Sequence, residues 1–193
     1  MTRDVQWRTV DIVVAAAIAV AFGVVFWAWN QVWAAATPAF TAVPPAQNII
    51  YGVWLVPAVL AGLIIRKPGA ALFTELVAAS VSAVLGSQWA LDTLLSGALQ
   101  GLGAELVFFV ARYRVWTMAI GIIAAIGTAV AAWIHDTPLY YATLGLDQQL
   151  LILLFMVVSA VVIAGIGSWL LMRSLVQTGV LAQFPAGRAQ TRI

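Results

Sequence analysis

Two glutamates interrupt runs apolar enough to lie in a bilayer, and they are the side chains best placed to do chemistry. Glu105 falls in Ser96-Gly97-Ala98-Leu99-Gln100-Gly101-Leu102-Gly103-Ala104-Glu105-Leu106-Val107-Phe108-Phe109, beside the amide of Gln100. At helical spacing Gly97, Gly101, Ala104 and Glu105 share one face. Small residues on such a face let a neighbouring helix come close, so Glu105 is expected to point into a bundle and away from lipid. Glu75 lies on a similar stripe with Ala71, Ala78, Ala79 and Ser82. No arginine or lysine falls within an apolar run to pair with either glutamate. An unpaired carboxylate there is costly, and it marks a functional site by default. Such a group wants a cation, a proton or the other carboxylate.

Aromatic and amide side chains define the kind of ligand. Trp27, Trp29, Trp33, Tyr51, Trp54, Trp89, Trp133, Tyr140 and Tyr141 all map to one half of the apolar runs or to the loops beyond them. An interfacial aromatic belt accounts for many of these. Asn30, Gln31, Gln47, Asn48, Gln88 and Asp92 nevertheless stand among them. Aromatic walls, amide hydrogen-bonders and a carboxylate suit a flat, positively charged heteroaromatic molecule held by stacking and cation–π attraction. Asp92 also reads as a cap of the helix that follows it.

Other chemistries lack their residues. There is no G-x-x-x-x-G-K-[ST] loop, and the one lysine, Lys67, sits in a turn before Pro68, so this chain is not expected to hydrolyse ATP. His135 is the single histidine and cysteine is absent, which removes His-rich and thiolate metal sites and the H-E-x-x-H hydrolases. No serine occupies a G-x-S-x-G elbow. The expectation is a binding protein without catalytic residues, resident metal or cofactor.

The elements that must position these residues follow from composition. Of 193 residues 64% are apolar and 8% charged, against about 25% charged in a soluble domain. Mean hydropathy is +1.03. The chain therefore reads as one integral membrane domain, an all-α bundle over 1–193. Apolar runs at about 10–33, 46–65, 70–85, 90–111, 115–134 and 150–172 predict six membrane-spanning helices, since a span needs about 20 residues. Pro57 predicts a kink in the second. The stretch from His135 to Gln149, with Asp136, Pro138 and Asp147, reads as a loop, and 173–193 as a polar, basic tail. The first run is long enough to span and has no small-residue cleavage site after it, so it reads as a span and not a signal peptide.

The charges orient these spans. Arg3, Arg8, Arg66, Lys67, Arg112, Arg114, Arg173, Arg188 and Arg192 all fall on one side, while Asp92, Asp136 and Asp147 mark the other. The positive-inside rule puts both termini in the cytoplasm. In the first span, Ala15/Ala19 and Ala17/Ala21 form small-x-x-x-small pairs, a surface for close packing either within the bundle or on a partner.

Over nearly its whole length the chain resembles the YkoE family, S components of energy-coupling-factor vitamin transporters. The resemblance rests on size, six spans and the alanine motif in the first helix. Local signatures add Asn48-Ile49-Ile50-Tyr51-Gly52-Val53-Trp54, Glu75-Leu76-Val77-Ala78 and, above all, Leu99-Gln100-Gly101-Leu102-Gly103-Ala104-Glu105-Leu106. It implies a substrate-capture subunit in a bacterial plasma membrane, binding thiamine or its hydroxymethylpyrimidine precursor. The implied partners are a transmembrane T component, docked on the Ala15/Ala19 face, and ABC ATPase subunits; nucleic acid is not an expected partner. Glu105, Gln100, Glu75, Asn48, Tyr51, Trp54, Gln88 and Trp89 are the expected substrate-binding residues. Two other readings stand beside this one. One is a stand-alone secondary transporter exchanging protons at Glu75 and Glu105 for a cationic amine. The other is a membrane scaffold in which the glutamates are protonated packing residues.

Overall fold

The computed structural model describes residues 6–188, all-helical wherever structure is regular; Arg3 and Arg192 of the basic set lie outside the described residues. The helices are α1 (Thr9–Ala36), α2 (Val56–Ile65), α3 (Ala70–Val84), α4 (Asp92–Val110), α5 (Met118–Tyr140), α6 (Leu146–Ser159), α7 (Ser168–Gln177) and the short α8 (Pro185–Arg188). A 3-10 segment, Pro44–Leu55, leads into α2, and a π-helical segment, Ala160–Gly167, joins α6 to α7. Among the described residues five continuous stretches are long and apolar enough to cross a membrane: Thr9–Phe40, Pro44–Ile65, Asp92–Val110, Met118–Tyr140 and Leu146–Gln177. Helix α3, with 15 residues, is a shorter apolar helix. At 1.5 Å per residue it is about 22 Å long, less than the roughly 30 Å hydrocarbon layer.

Helix α2 is the axis of the bundle. Its sequence, VPAVLAGLII, is apolar on every side, and all ten residues are buried. A helix hydrophobic all round belongs in a core, because no face of it suits water. Around it α1 packs on α3, α3 on α4 and α4 on α5. The small-residue face expected on α4 makes the contact with α3. A Cβ added at Gly97 would come 2.4 Å from Ala79 Cβ, and one at Gly101 2.9 Å from Leu72 Cα.

The 3-10 segment gives the site its geometry. Runs of this kind rarely exceed three or four residues, and this one has twelve. At three residues per turn, Pro45, Asn48, Tyr51 and Trp54 stack on one face, and all four are buried. Gly52 lets the segment lie against the neighbouring helix, where its N–H donates to Ser159 Oγ at 2.8 Å. Any side chain there would meet the Ser159 carbonyl, 2.5 Å from the Cβ position.

Three expectations change here. Ala15 and Ala19 do not form a docking surface. They lie on the buried stripe Asp11, Ala15, Ala19, Gly23, Phe26, Asn30, and both are wholly enclosed within the chain. The overlapping pair Ala17 and Ala21 faces outward instead. Helix α5 continues through Pro138 to Tyr140, so His135 and Asp136 belong to its last turns and not to a loop. Helix α7 runs on to Gln177, and the chain beyond it packs back on the bundle, burying Leu181, Phe184 and Ala186. Arg8 lies 5.9 Å from the centroid of the Phe184 ring.

The end of the bundle that carries the basic turns is locked by ions. Asp11, fully buried, accepts from Arg8 Nη2 at 2.8 Å and from Lys67 Nζ at 2.7 Å. These contacts fasten the start of α1 to the turn between α2 and α3.

Candidate ligand-binding site

At the opposite end the helices enclose a cavity of about 240 Å³, of a size for one small molecule. Its aromatic walls come from α1 (Trp33), the 3-10 segment (Tyr51, Trp54) and the α3–α4 turn (Trp89). The rings meet nearly edge to face: Tyr51 and Trp54 at 5.1 Å and 73°, Trp54 and Trp89 at 5.5 Å and 89°. Such contacts fix the ring planes, leaving rigid faces for a flat ligand.

Amides hold these walls in place. Trp54 Nε1 donates to Asn30 Oδ1 at 3.1 Å, and Asn30 Nδ2 donates to Ser82 Oγ at 3.4 Å and Ser87 Oγ at 3.3 Å. Gln100 Nε2 donates to Tyr51 Oη at 3.2 Å and to Ser96 Oγ at 2.7 Å. Asn30, Ser82, Ser96 and Gln100 all line the cavity.

The deepest polar group is Glu75, 0% exposed and part of the cavity lining. Pro57 stands in the first turn of α2, where backbone N–H groups have no carbonyl partner inside the helix. Glu75 Oε2 accepts one of them, Ala58 N–H, at 2.9 Å. Its second oxygen, Oε1, is buried without a hydrogen-bond partner among the described residues. A buried acceptor left open is costly, and a donor brought by a ligand relieves that cost.

The mouth is ringed by charge. Asp92 from α4 and Asp136 from α5 line it with Tyr140 and Tyr141. Tyr51 Oη donates to Asp136 Oδ2 at 2.7 Å, and Tyr140 Oη donates to Asp92 Oδ2. Burial, with the Asp136 carboxylate adding to it, pushes the Tyr141 phenol up to about 12, so it stays neutral.

Of the residues singled out from sequence, Glu75, Gln100, Tyr51, Trp54 and Trp89 meet in this cavity. Asn48 lies just outside the lining, buried, with Nδ2 donating to Pro45 O at 3.1 Å. Gln88 is exposed in the α3–α4 turn and is not part of the lining. Glu105 does not reach the cavity. It sits at the basic end, where Oε1 accepts from Gly69 N at 2.7 Å and Tyr113 Oη at 2.6 Å. Its Oε2 accepts from Ala71 N at 3.0 Å and Leu72 N at 3.4 Å. It caps α3, satisfying N–H groups that the helix start leaves open. Asn30 and Asp92, which the sequence places among the aromatic side chains, line it too, and the structure adds Ser82 and Asp136.

The comparisons with known proteins agree with this architecture. A family model described as "ABC-type cobalt transport system, permease component" matches residues 10–131. A Bacillus subtilis protein described as "putative HMP/thiamine permease protein YkoE" is 33% identical over 184 residues, which is 95% of this chain and 92% of that one. A solved structure of an S component of an ECF transporter superposes with a TM-score of 0.92 at 32% identity, covering 97% of this chain and 94% of the other. The chain belongs to the YkoE family of S components. As an S component it is the substrate-binding subunit of an energy-coupling-factor importer. The S component departs from the sequence expectation in one central respect, since one intramembrane glutamate faces the cavity and the other fastens two loops.

Proposed function

We propose that this S component captures thiamine or its hydroxymethylpyrimidine precursor in the cavity between α1, the 3-10 segment, α3, α4 and α5, and performs no chemistry on it. The observation that carries the reading is the open Glu75 Oε1 on a cavity walled by Trp54, Tyr51 and Trp89. An aminopyrimidine brings an N–H donor on its edge and a flat face for the rings, and thiamine adds a cationic thiazolium that suits Asp92 and Asp136 at the mouth. The Bacillus relative's description points to the same two compounds.

The chain is one domain of six passes, with the short α3 as the third, and both termini lie in the cytoplasm of a bacterial plasma membrane. Support comes from Arg8, Arg66, Lys67, Arg112, Arg114 and Arg173, which the sequence order puts at the end away from the cavity mouth. The cavity then opens outward, toward the supply of substrate. A T component and ABC ATPases supply energy, and the outward stripe of α1 around Ala17 and Ala21 is the surface small enough for close helix docking. Ala17→Trp is expected to leave ligand affinity within about twofold and to abolish co-purification with the T component. Normal assembly of that variant would remove α1 from the docking surface.

Titration of the purified protein with thiamine, followed by tryptophan fluorescence, tests the substrate. Trp33, Trp54 and Trp89 lie on the cavity, so a saturable change is expected for thiamine or for hydroxymethylpyrimidine. No saturable change with either compound would refute the proposal.

A further inference from the structure

His135 is not itself part of the cavity lining, yet it is bonded to two acidic residues that are, Asp92 and Asp136. Its Nδ1 lies 2.8 Å from Asp136 Oδ1 and its Nε2 3.1 Å from Asp92 Oδ1. The other oxygens of the two aspartates accept from Tyr51 Oη and Tyr140 Oη, so each carboxylate is used on both sides. An ionised carboxylate only accepts, so a ring bonded to two of them donates from both nitrogens and is the imidazolium. The side chain of His135 is 3% exposed, whereas that of Asp92 is 27% exposed. The positive charge is therefore sealed behind the wall, and the carboxylates form the surface that a ligand meets.

We propose that His135 sets ligand selectivity: its buried charge cancels one of the two carboxylates, leaving one net negative charge at the mouth, matched to a ligand with a single positive charge. This rests on the reading of the cavity as the substrate site and goes beyond it, because it assigns the strength of cation preference to a residue that never touches the ligand. The groups bonded to His135 are Asp92 from α4 and Asp136 from its own helix; through Asp92 it is linked to Tyr140 and, through Asp136, to Tyr51 from the 3-10 segment. The phenols are neutral donors, so the charge of the set is that of two aspartates and one imidazolium. Without the imidazolium the wall carries two negative charges and over-attracts cations. Without one aspartate it carries none and stops distinguishing a cation from a neutral molecule.

The structural contribution of His135 is separable from its charge. Loss of the bridge between α4 and α5 loosens the mouth for every ligand, whereas a change of wall charge alters only the ratio between a cation and its neutral twin. The probes are thiamine and deazathiamine, which share the aminopyrimidine and differ in whether the second ring is charged. The ratio of their affinities is measured calorimetrically for the wild type, His135→Asn and Asp92→Asn. The preference for thiamine is expected to rise about tenfold in His135→Asn, as one unit charge at this range implies, and to fall by a similar factor in Asp92→Asn. An equal loss of both ligands, with the ratio unchanged in either folded variant, would overturn the proposal. Should His135→Asn fail to fold, Asp92→Asn alone decides it. Failure of the wild type to bind either compound would refute the substrate reading itself, an outcome distinct from an unchanged ratio.

Discussion

Glu75→Gln is expected to weaken thiamine binding by roughly 10- to 100-fold, the range set by losing an open acceptor oxygen and facing the ligand's donor with a donor. The fold should survive this exchange. The glutamine carbonyl can still accept Ala58 N–H, which Glu75 Oε2 accepts at 2.9 Å, while its NH2 turns to the cavity in place of Oε1. Glu75→Ala removes both functions. The Ala58 N–H then stays buried without a partner, and stability is expected to fall by a further 1–3 kcal/mol or about that. Calorimetric titration and thermal unfolding in detergent separate the two effects. Wild-type affinity in Glu75→Gln would show that the open oxygen is not what the ligand meets.

The opposite pattern is expected for Glu105→Ala. This carboxylate accepts from Gly69 N, Ala71 N, Leu72 N and Tyr113 Oη, tying the α2–α3 turn to the end of α4. Burial, and then the Glu105 carboxylate itself, hold the Tyr113 phenol well above the usual tyrosine range, so it stays a donor. Removing Glu105 leaves several N–H groups open at once, and stability should fall by about 2–4 kcal/mol. Thiamine affinity should change by less than about twofold, because the cavity lies at the other end of the bundle. A stable Glu105→Ala that no longer binds thiamine would restore this residue to the substrate site.

The contrast between the two glutamates marks what periodicity can convey. Helical spacing puts Glu75 and Glu105 on small-residue faces, and both carboxylates accept backbone N–H groups of a neighbouring element. What distinguishes them is where the neighbouring backbone offers N–H groups. At Glu105 the turn carrying left-handed Arg66 and Gly69, with φ of 58° and 84°, aims several N–H groups at one carboxylate. At Glu75 Pro57 and the helix start offer one. Neither arrangement follows from the spacing of the glutamates themselves.

Elsewhere the signal was present in another form. Asn48, Tyr51 and Trp54 recur every three residues, the period of the 3-10 segment that stacks them. In α1 the alanine pairs alone do not say which face is inward, since the helix is apolar all round. Asp11 and Asn30 do: they share the stripe with Ala15 and Ala19, and polar groups in a membrane helix turn to the interior. His135 and Asp136 were hidden by Pro138, which reads as a helix stop but lies inside α5, two residues before its end at Tyr140, so the helix runs on despite the one N–H bond that the proline removes.

The structure of the protein with thiamine bound is the most direct measurement of the central claim. The expected result is an aminopyrimidine seated among Trp54, Tyr51 and Trp89, with its exocyclic amino N–H donor within about 3 Å of Glu75 Oε1 and the thiazolium toward Asp92 and Asp136. Thiamine held anywhere else, or seated in the cavity with no donor on Glu75, would contradict it.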